Sequence, residues 1–95
     1  LSRSKGIAEF PDAITTRGQK HINELLKAKK GGYEISLLYV VQRDDCNTLK
    51  LARDIDPNYS ELLIKAVEKK LNVLCYDCKF SSKGIVINNK INFIK

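Results

Sequence analysis

The chain has 95 residues, of which 17 are lysine or arginine and 11 are aspartate or glutamate, giving a formal net charge of +6. This length suits one small domain, residues 1–95, and no apolar run approaches the roughly 20 residues of a membrane helix, so we expect no membrane partner. The basic surplus favours polyanionic partners such as nucleic acid, although the basic residues are spread along the chain. Three cysteines without a secretion signal indicate reduced thiols and a cytoplasmic location.

The first ten residues contain a turn at residues 4–6 between two short extended segments. This pattern predicts that one strand ends before the turn and that residues 7–10 return beside it as a second strand, which Pro11 ends. Because the chain begins at Leu1 and not at a methionine, we expect it to be a piece of a longer protein, cut within that first strand.

A helix is predicted over residues 14–29, with Asp12 or Thr15 as its N-cap. Gly31 and Gly32 end it, and the three lysines of its last turn suit the negative end of the helix dipole. The apolar residues recur at helical spacing and form one face. This face consists of Ile14, Gly18, Ile22, Leu25 and Leu26.

Residues 33–42 are almost continuously apolar, which predicts a central, parallel strand that is covered on both faces. Asp56 and Pro57 begin a second helix as N-cap and first helical residue. A strand over residues 72–80 follows, then a turn at 81–84. The last predicted element is a closing hairpin of residues 85–87 and 91–94.

Strands that alternate with helices in this order predict an α/β fold with a largely parallel sheet, two main helices and a C-terminal hairpin.

The first predicted helix carries a ridge of polar side chains that could bind an anion. Arg17, Lys20, His21 and Glu24 are spaced at i, i+3, i+4 and i+7, so they lie along one side of the helix. The guanidinium of Arg17 can hold two phosphate oxygens at once, and Gly18 allows another backbone to come close. The alternative is a solvated flank with a half-buried histidine.

Two other clusters contain residue types that can form a site. Cys75 and Cys78 form a CxxC motif, but residues three apart on a strand point to opposite faces, about 10 Å from each other, which is too far for a disulfide. A zinc site needs about four ligands, which this pair lacks, so we predict neither a disulfide nor a zinc site here. Arg43 leaves the end of a predicted strand, where α/β folds bind ligands, and is predicted to contact an anion. The neighbouring Asp44 and Asp45 could instead hold a divalent ion, or the segment could be a plain loop. No catalytic motif is present, so we predict no catalytic residue.

Five motifs in chain order carry a family resemblance. They are Phe10-Pro11-Asp12-Ala13, Thr16-Arg17-Gly18-Gln19-Lys20-His21, Val41-Gln42-Arg43-Asp44, Ile55-Asp56-Pro57 and Val73-Leu74. With them, the chain resembles the C-terminal, nuclease-like part of the sugar fermentation stimulation protein A family over residues 10–87. The Arg-Gly-Gln-Lys-His run is the most specific part of this match.

The resemblance implies a fragment of a PD-(D/E)xK nuclease-like domain with a mixed sheet, preceded in the longer protein by an N-terminal OB-like domain. It also implies DNA as a partner and a link to the regulation of sugar (maltose) metabolism in bacteria. In nucleases of this fold an Asp and a Glu-x-Lys hold Mg²⁺ and activate water. In the family those residues precede the stretch that matches Leu1, so no metal ligand is expected in this chain, and Mg²⁺ only in the full-length protein.

The same resemblance carries the role of nucleic-acid binding onto Arg17, Lys20 and His21, and onto Gln19 and Arg43. We therefore predict a DNA-binding protein that contacts the phosphate backbone without reading sequence. One alternative is a Mg²⁺-dependent nuclease completed by upstream residues. Another is a structural module whose basic surface serves only solubility, marked by evenly scattered charges and a buried, hydrogen-bonded His21.

Overall fold

The computed structural model describes all 95 residues and contains six strands and two helices. The predicted α/β class with two main helices is confirmed. Neither helix combines the length and the apolarity that crossing a bilayer requires. In chain order the elements are β1 (Ile7–Phe10), α1 (Thr16–Lys30), β2 (Ser36–Val40), β3 (Thr48–Leu51), α2 (Pro57–Glu68), β4 (Asn72–Ser81), β5 (Gly84–Lys90) and β6 (Asn92–Ile94).

The strands divide between two three-stranded sheets rather than one. The first has the order β1-β3-β6 and is entirely parallel. The second has the order β2-β4-β5, in which β2 and β4 are parallel and β4 and β5 antiparallel. The sheets meet where the N–H of Ile91, just before β6, donates to the carbonyl of Cys75 in β4 at 2.9 Å.

The predicted return of the chain at its beginning is confirmed, but residues 1–3 form no strand, and an isolated bridge joins Ser4 to Ile7. The N–H of Glu9 in β1 donates to the carbonyl of Leu1 at 2.6 Å, and the N–H of Ile7 donates to that of Ser4 at 3.2 Å. Gly6 lies in the turn with φ +78°, a left-handed conformation that glycine adopts without a steric penalty. The first residues therefore run antiparallel beside β1.

Strand β2 differs from its prediction in length and in burial. It is shorter than residues 33–42 and lies at the edge of its sheet, although it pairs in parallel with β4 as expected. Leu37 and Tyr39 pack against the core on the inner face. Leu38 and Val40 on the outer face are 50% and 41% exposed, because no element of the chain packs there. The prediction of a central strand covered on both faces is therefore wrong.

Strand β3 was not predicted, and the closing hairpin was predicted with the wrong partner. The turn at residues 81–84 does form a hairpin, but its arms are β4 and β5. Strand β6 instead pairs in parallel with the unpredicted β3. Ile91 is buried before β6, whereas Ile85 and Ile87 of β5 are exposed, so the two apolar runs face different surroundings.

Helix α1 begins at Thr16, and Thr15 is the N-cap, one of the two predicted caps. The Oγ1 atom of Thr15 accepts a hydrogen bond from the N–H of Gly18 at 3.0 Å. Ile14 precedes the helix and is 72% exposed, so its assignment to the apolar face is wrong. Gly18 does allow a close approach, but the neighbour is the ring of Tyr59 in α2 rather than a backbone: a Cβ at this position would lie 3.0 Å from Tyr59 Cε2.

Two groups of buried side chains form the core. The first joins both helices to the strands and contains Ile22, Leu51, Tyr59, Leu63, Ala66 and Leu71. The second lies between the two sheets and contains Ala8, Cys46, Leu49, Cys75 and Ile91. Helix α1 is held by the first cluster on one side only, which leaves its polar side in solvent.

Candidate nucleic-acid interface

An open groove of about 530 Å³ lies beside the N-terminal half of α1, and no hydrophobic residue lines it. Three basic residues predicted from the sequence, Arg17, Lys20 and His21, all border this one groove. Its complete lining is Thr15, Arg17, Gly18, Lys20, His21 and Glu24.

The basic side chains of the groove are available to a ligand. Neither Arg17 nor Lys20 takes part in an ion pair, and both are exposed. His21 is also exposed, so the half-buried histidine of the alternative interpretation is not observed. The buried and satisfied histidine that would mark a purely structural module is therefore not what the structure contains.

Helix α1 carries most of the net positive charge, although basic residues also occur along the rest of the chain as expected. The helix Thr16–Lys30 holds five of the 17 lysine and arginine residues and only one of the 11 acidic residues, Glu24. It thus contributes four of the six net positive charges of the protein. A field of one sign on one helix attracts a polyanion more strongly than the same charges distributed evenly.

The buried carboxylate of Asp56 fixes the start of α1 against the start of α2. Asp56 is 1% exposed and is the N-cap of α2, where its Oδ1 atom accepts the N–H of Tyr59 at 3.0 Å. Its Oδ2 atom accepts the N–H of Thr15, the N-cap of α1, at 2.9 Å. One side chain therefore satisfies backbone donors at two helix N-termini and sets the position of the groove residues.

These contacts also keep Asp56 ionised. Burial opposes the charged form, but hydrogen bonds from the backbone N–H groups of Thr15 and Tyr59, and from the Gln19 amide, outweigh it and hold the pKa of Asp56 below its usual value. The role of Asp56 as N-cap of α2 was predicted. Its bond to Thr15 was not, because no local pattern links residues 41 positions apart.

Gln19 lies outside the groove although it belongs to the same motif. Its Nε2 atom donates to both carboxylate oxygens of Asp56 at 3.2 Å, so its amide group points toward α2. It does not line the groove of Arg17 and Lys20. Its predicted contact with nucleic acid stays a prediction, and the observed contact is structural.

Arg43 lies in a different part of the surface. It borders a separate cavity of about 350 Å³ that Glu9 and Tyr39 also line. Its Nε and Nη2 atoms donate to the two oxygens of Asp45, each at 2.7 Å. This pairing lowers the pKa of Asp45 to about 2 and raises that of Arg43. The structure does not bring Arg43 to the α1 groove, and its predicted anion contact would compete with Asp45.

Potential metal ligands are scattered. No three histidine, cysteine or acidic side chains gather in a way that could hold a metal ion. All three cysteines are free and buried, and burial raises the pKa of the Cys75 thiol to about 11. The carboxylate of Glu9 accepts two hydrogen bonds from Arg3, at 2.7 and 2.8 Å, which occupy both of its oxygens.

Comparison with known proteins places the chain in a family. The profile of the sugar fermentation stimulation protein RE domain matches residues 1–84. The chain belongs to the sugar fermentation stimulation protein family. The resemblance predicted from the Arg-Gly-Gln-Lys-His run and its companion motifs is thereby confirmed.

Individual relatives are consistently longer than this chain. The Pelagibacter ubique homolog is 46% identical over 94 residues, which cover 99% of this chain and 40% of that protein. The Roseobacter denitrificans homolog is 41% identical over 91 residues, 96% of this chain and 39% of that protein. Pyrococcus furiosus SfsA, solved in complex with Ca²⁺, has the same fold, with a TM-score of 0.88 and 24% identity over 98% of this chain and 41% of that one. The chain thus spans about 40% of the length of these relatives.

Proposed function

We propose that the protein binds DNA through its phosphate backbone, with little dependence on base sequence. Arg17 and Lys20 pair with phosphate oxygens, and His21 donates a hydrogen bond beside them. The observation that carries this proposal is that three exposed basic side chains of α1 line one groove without ion-pair partners. Contacts of this type position DNA but do not read its sequence.

The lining of the groove argues against a small apolar ligand. Binding sites for small molecules are lined mainly by hydrophobic and aromatic side chains, whereas no hydrophobic residue lines this groove. A phosphate chain needs the reverse: an open surface, fixed positive charge and hydrogen-bond donors. The concentration of charge on α1 adds long-range attraction for the same kind of ligand.

The test is the salt dependence of DNA binding by the full-length protein. Each phosphate contact contributes about 0.9 to the slope of log affinity against log salt concentration on duplex DNA. The double substitution Arg17→Ala with Lys20→Ala should therefore lower the magnitude of the slope by about 1.8. Lys5→Ala with Lys83→Ala removes two exposed lysines outside α1 and serves as the matched control. An unchanged slope in the α1 variant would contradict the proposal.

The family name suggests the cellular context. The relatives are called sugar fermentation stimulation protein homologs, and we extend the proposal to a role of DNA binding in the regulation of sugar metabolism. Their additional length supports a further, N-terminal OB-like domain as a partner within the same polypeptide. The proposed DNA surface would then be shared between that domain and α1.

A Mg²⁺-dependent nuclease is the second candidate. It is favoured by the fold shared with Pyrococcus furiosus SfsA, whose structure was solved with Ca²⁺, since hard divalent cations bind carboxylate oxygens. No group of three acidic, histidine or cysteine side chains suited to a metal gathers within residues 1–95, and the family resemblance implies that the metal ligands precede Leu1. An upstream Asp followed by Glu-x-Lys would keep this candidate. The full-length protein should then cleave DNA in the presence of Mg²⁺, and a chelator should stop the cleavage. If no chelator-sensitive cleavage is seen, the nuclease candidate fails and DNA binding remains the proposed function.

A further inference from the structure

A second basic surface lies at the other end of α1. A groove of about 490 Å³ is bordered there by four lysines, and no acidic residue lines it. None of these lysines takes part in an ion pair. We call this surface the lysine cluster. Its lysines are Lys27, Lys29 and Lys30 of α1 and Lys69, the C-cap residue of α2.

Helical geometry connects the lysine cluster to the groove at the start of α1. Lys20, Asn23, Lys27 and Lys30 are spaced at i, i+3, i+7 and i+10, so they follow one another along a single side of the helix. All four are exposed. At a rise of about 1.5 Å per residue, Lys30 lies about 15 Å along the helix axis from Lys20 and about 20 Å from Arg17.

The positive charge of the lysine cluster exceeds what is needed to offset the dipoles of the two helices. Cations near a helix C-terminus offset the helix dipole, which is equivalent to about half a negative charge at that end. The C-termini of α1 and α2 together would supply about one negative charge, against four ammonium groups. Most of the positive charge of the lysine cluster therefore has no partner within the protein.

We propose that the lysine cluster is a second phosphate-binding surface, and that nucleic acid lies along α1 from Arg17 to Lys30. This inference rests on the proposed DNA binding and extends it by giving the path of the ligand. A span of about 20 Å corresponds to about six base pairs at 3.4 Å per pair along one strand. A duplex of this length presents phosphates at both ends of the helix, which a single bound anion cannot do.

The experiment compares three double variants of the full-length protein by their DNA-binding salt dependence. Lys27→Gln with Lys30→Gln tests the lysine cluster: it removes the two charges, shortens each side chain by one atom and nearly keeps the helix propensity. Arg17→Ala with Lys20→Ala tests the first groove. Lys5→Gln with Lys83→Gln is the control. Circular dichroism and thermal melting confirm that each variant is folded before its slope is measured.

The expected result is a fall of about 1.8 in the magnitude of the slope for Lys27→Gln with Lys30→Gln, and no change in the control. If only the Arg17→Ala, Lys20→Ala variant changes, the first groove stands and the lysine cluster is refuted. If neither α1 variant changes, the proposed DNA binding itself fails. If Lys27→Gln with Lys30→Gln instead weakens binding to phosphatidylserine vesicles and leaves DNA binding intact, the cluster faces an anionic membrane, and the inference is overturned.

Discussion

Removing the Asp56 carboxylate should destabilise the protein strongly, because this one side chain bonds to both helix N-termini. Asp56→Ala deletes the N-cap of α2, a change that costs about 1 kcal/mol in typical helices. It also leaves the partly buried N–H group of Thr15 without the acceptor it has at 2.9 Å, and a donor left unsatisfied away from water costs about 1–3 kcal/mol. Together these losses should lower the free energy of unfolding by about 2–4 kcal/mol.

Urea denaturation measures this loss directly. A domain of 95 residues has a free energy of unfolding on the order of 5–14 kcal/mol, so the variant should stay folded in buffer with a clearly lower midpoint. In a thermal melt, each kcal/mol corresponds to about 4–8 °C. Asp12→Ala is the matched control, because Asp12 is an exposed aspartate three residues before Thr15, the N-cap of α1. A loss below about 1 kcal/mol, or a loss no larger than that of the control, would refute the role assigned to Asp56.

The same carboxylate predicts a pH dependence whose sign follows from its lowered pKa. The pKa of Asp56 lies lower in the folded protein than the value of about 3.9 in the unfolded chain, so its ionisation stabilises the fold above about pH 4. That contribution is lost as the pH falls through the folded pKa. Asp56→Asn should cost about 1–2 kcal/mol at pH 7, and this difference from the wild type should shrink as the pH falls below 4. A difference that stays constant down to pH 2 would contradict it.

Two further predictions concern the contact between α1 and α2 and the aromatic core. Gly18→Ala should destabilise the protein by about 1 kcal/mol despite its gain in helix propensity, because the new Cβ would lie 2.9 Å from Thr15 and 3.0 Å from the Tyr59 ring. Gly31→Ala is the control, since its new Cβ would have no contact below 3.4 Å. In the same urea assay this control should change stability by less than about 0.5 kcal/mol. The hydroxyls of Tyr39 and Tyr59 hydrogen-bond to each other, so each single change to Phe should cost about 1–2 kcal/mol and the double change much less than their sum. Additive losses in the double-mutant cycle would count against this bond.

The helices could be predicted from the sequence because their signals are local. Thr15 and Asp56 each cap a helix within three residues of their own position, and α1 and α2 both show the apolar repeat that buries one face. The sheets could not be predicted in the same way. Strand β3 has four residues, too few for an alternating pattern to stand out, and its partners β1 and β6 lie about 40 residues away on either side.

Burial of β2 was overestimated for a related reason. A continuous apolar run indicates a strand that can be covered on both faces, but it does not say that the chain supplies both covers. Here the helices and the other strands cover Leu37 and Tyr39, and nothing within the 95 residues packs over Leu38 and Val40. The spacing of Arg17, Lys20 and His21 was sufficient to predict that these side chains border one groove. Neighbours at i+3 and i+4 share one side of a helix whatever the arrangement of the sheets.

The Arg-Gly-Gln-Lys-His motif serves two purposes that helical periodicity separates. Gly18 and Gln19 turn toward α2, where they meet the Tyr59 ring and the Asp56 carboxylate. Arg17, Lys20 and His21 turn toward the open groove. The Asp56-Pro57 motif is the other half of the inner contact, so two of the five motifs that carry the family resemblance meet at one helix junction. Substitutions on the inner side should therefore lower stability without changing the salt dependence of the folded protein. Substitutions on the outer side should change salt dependence at nearly constant stability. This separation allows the fold and the proposed DNA binding to be tested independently within one five-residue segment.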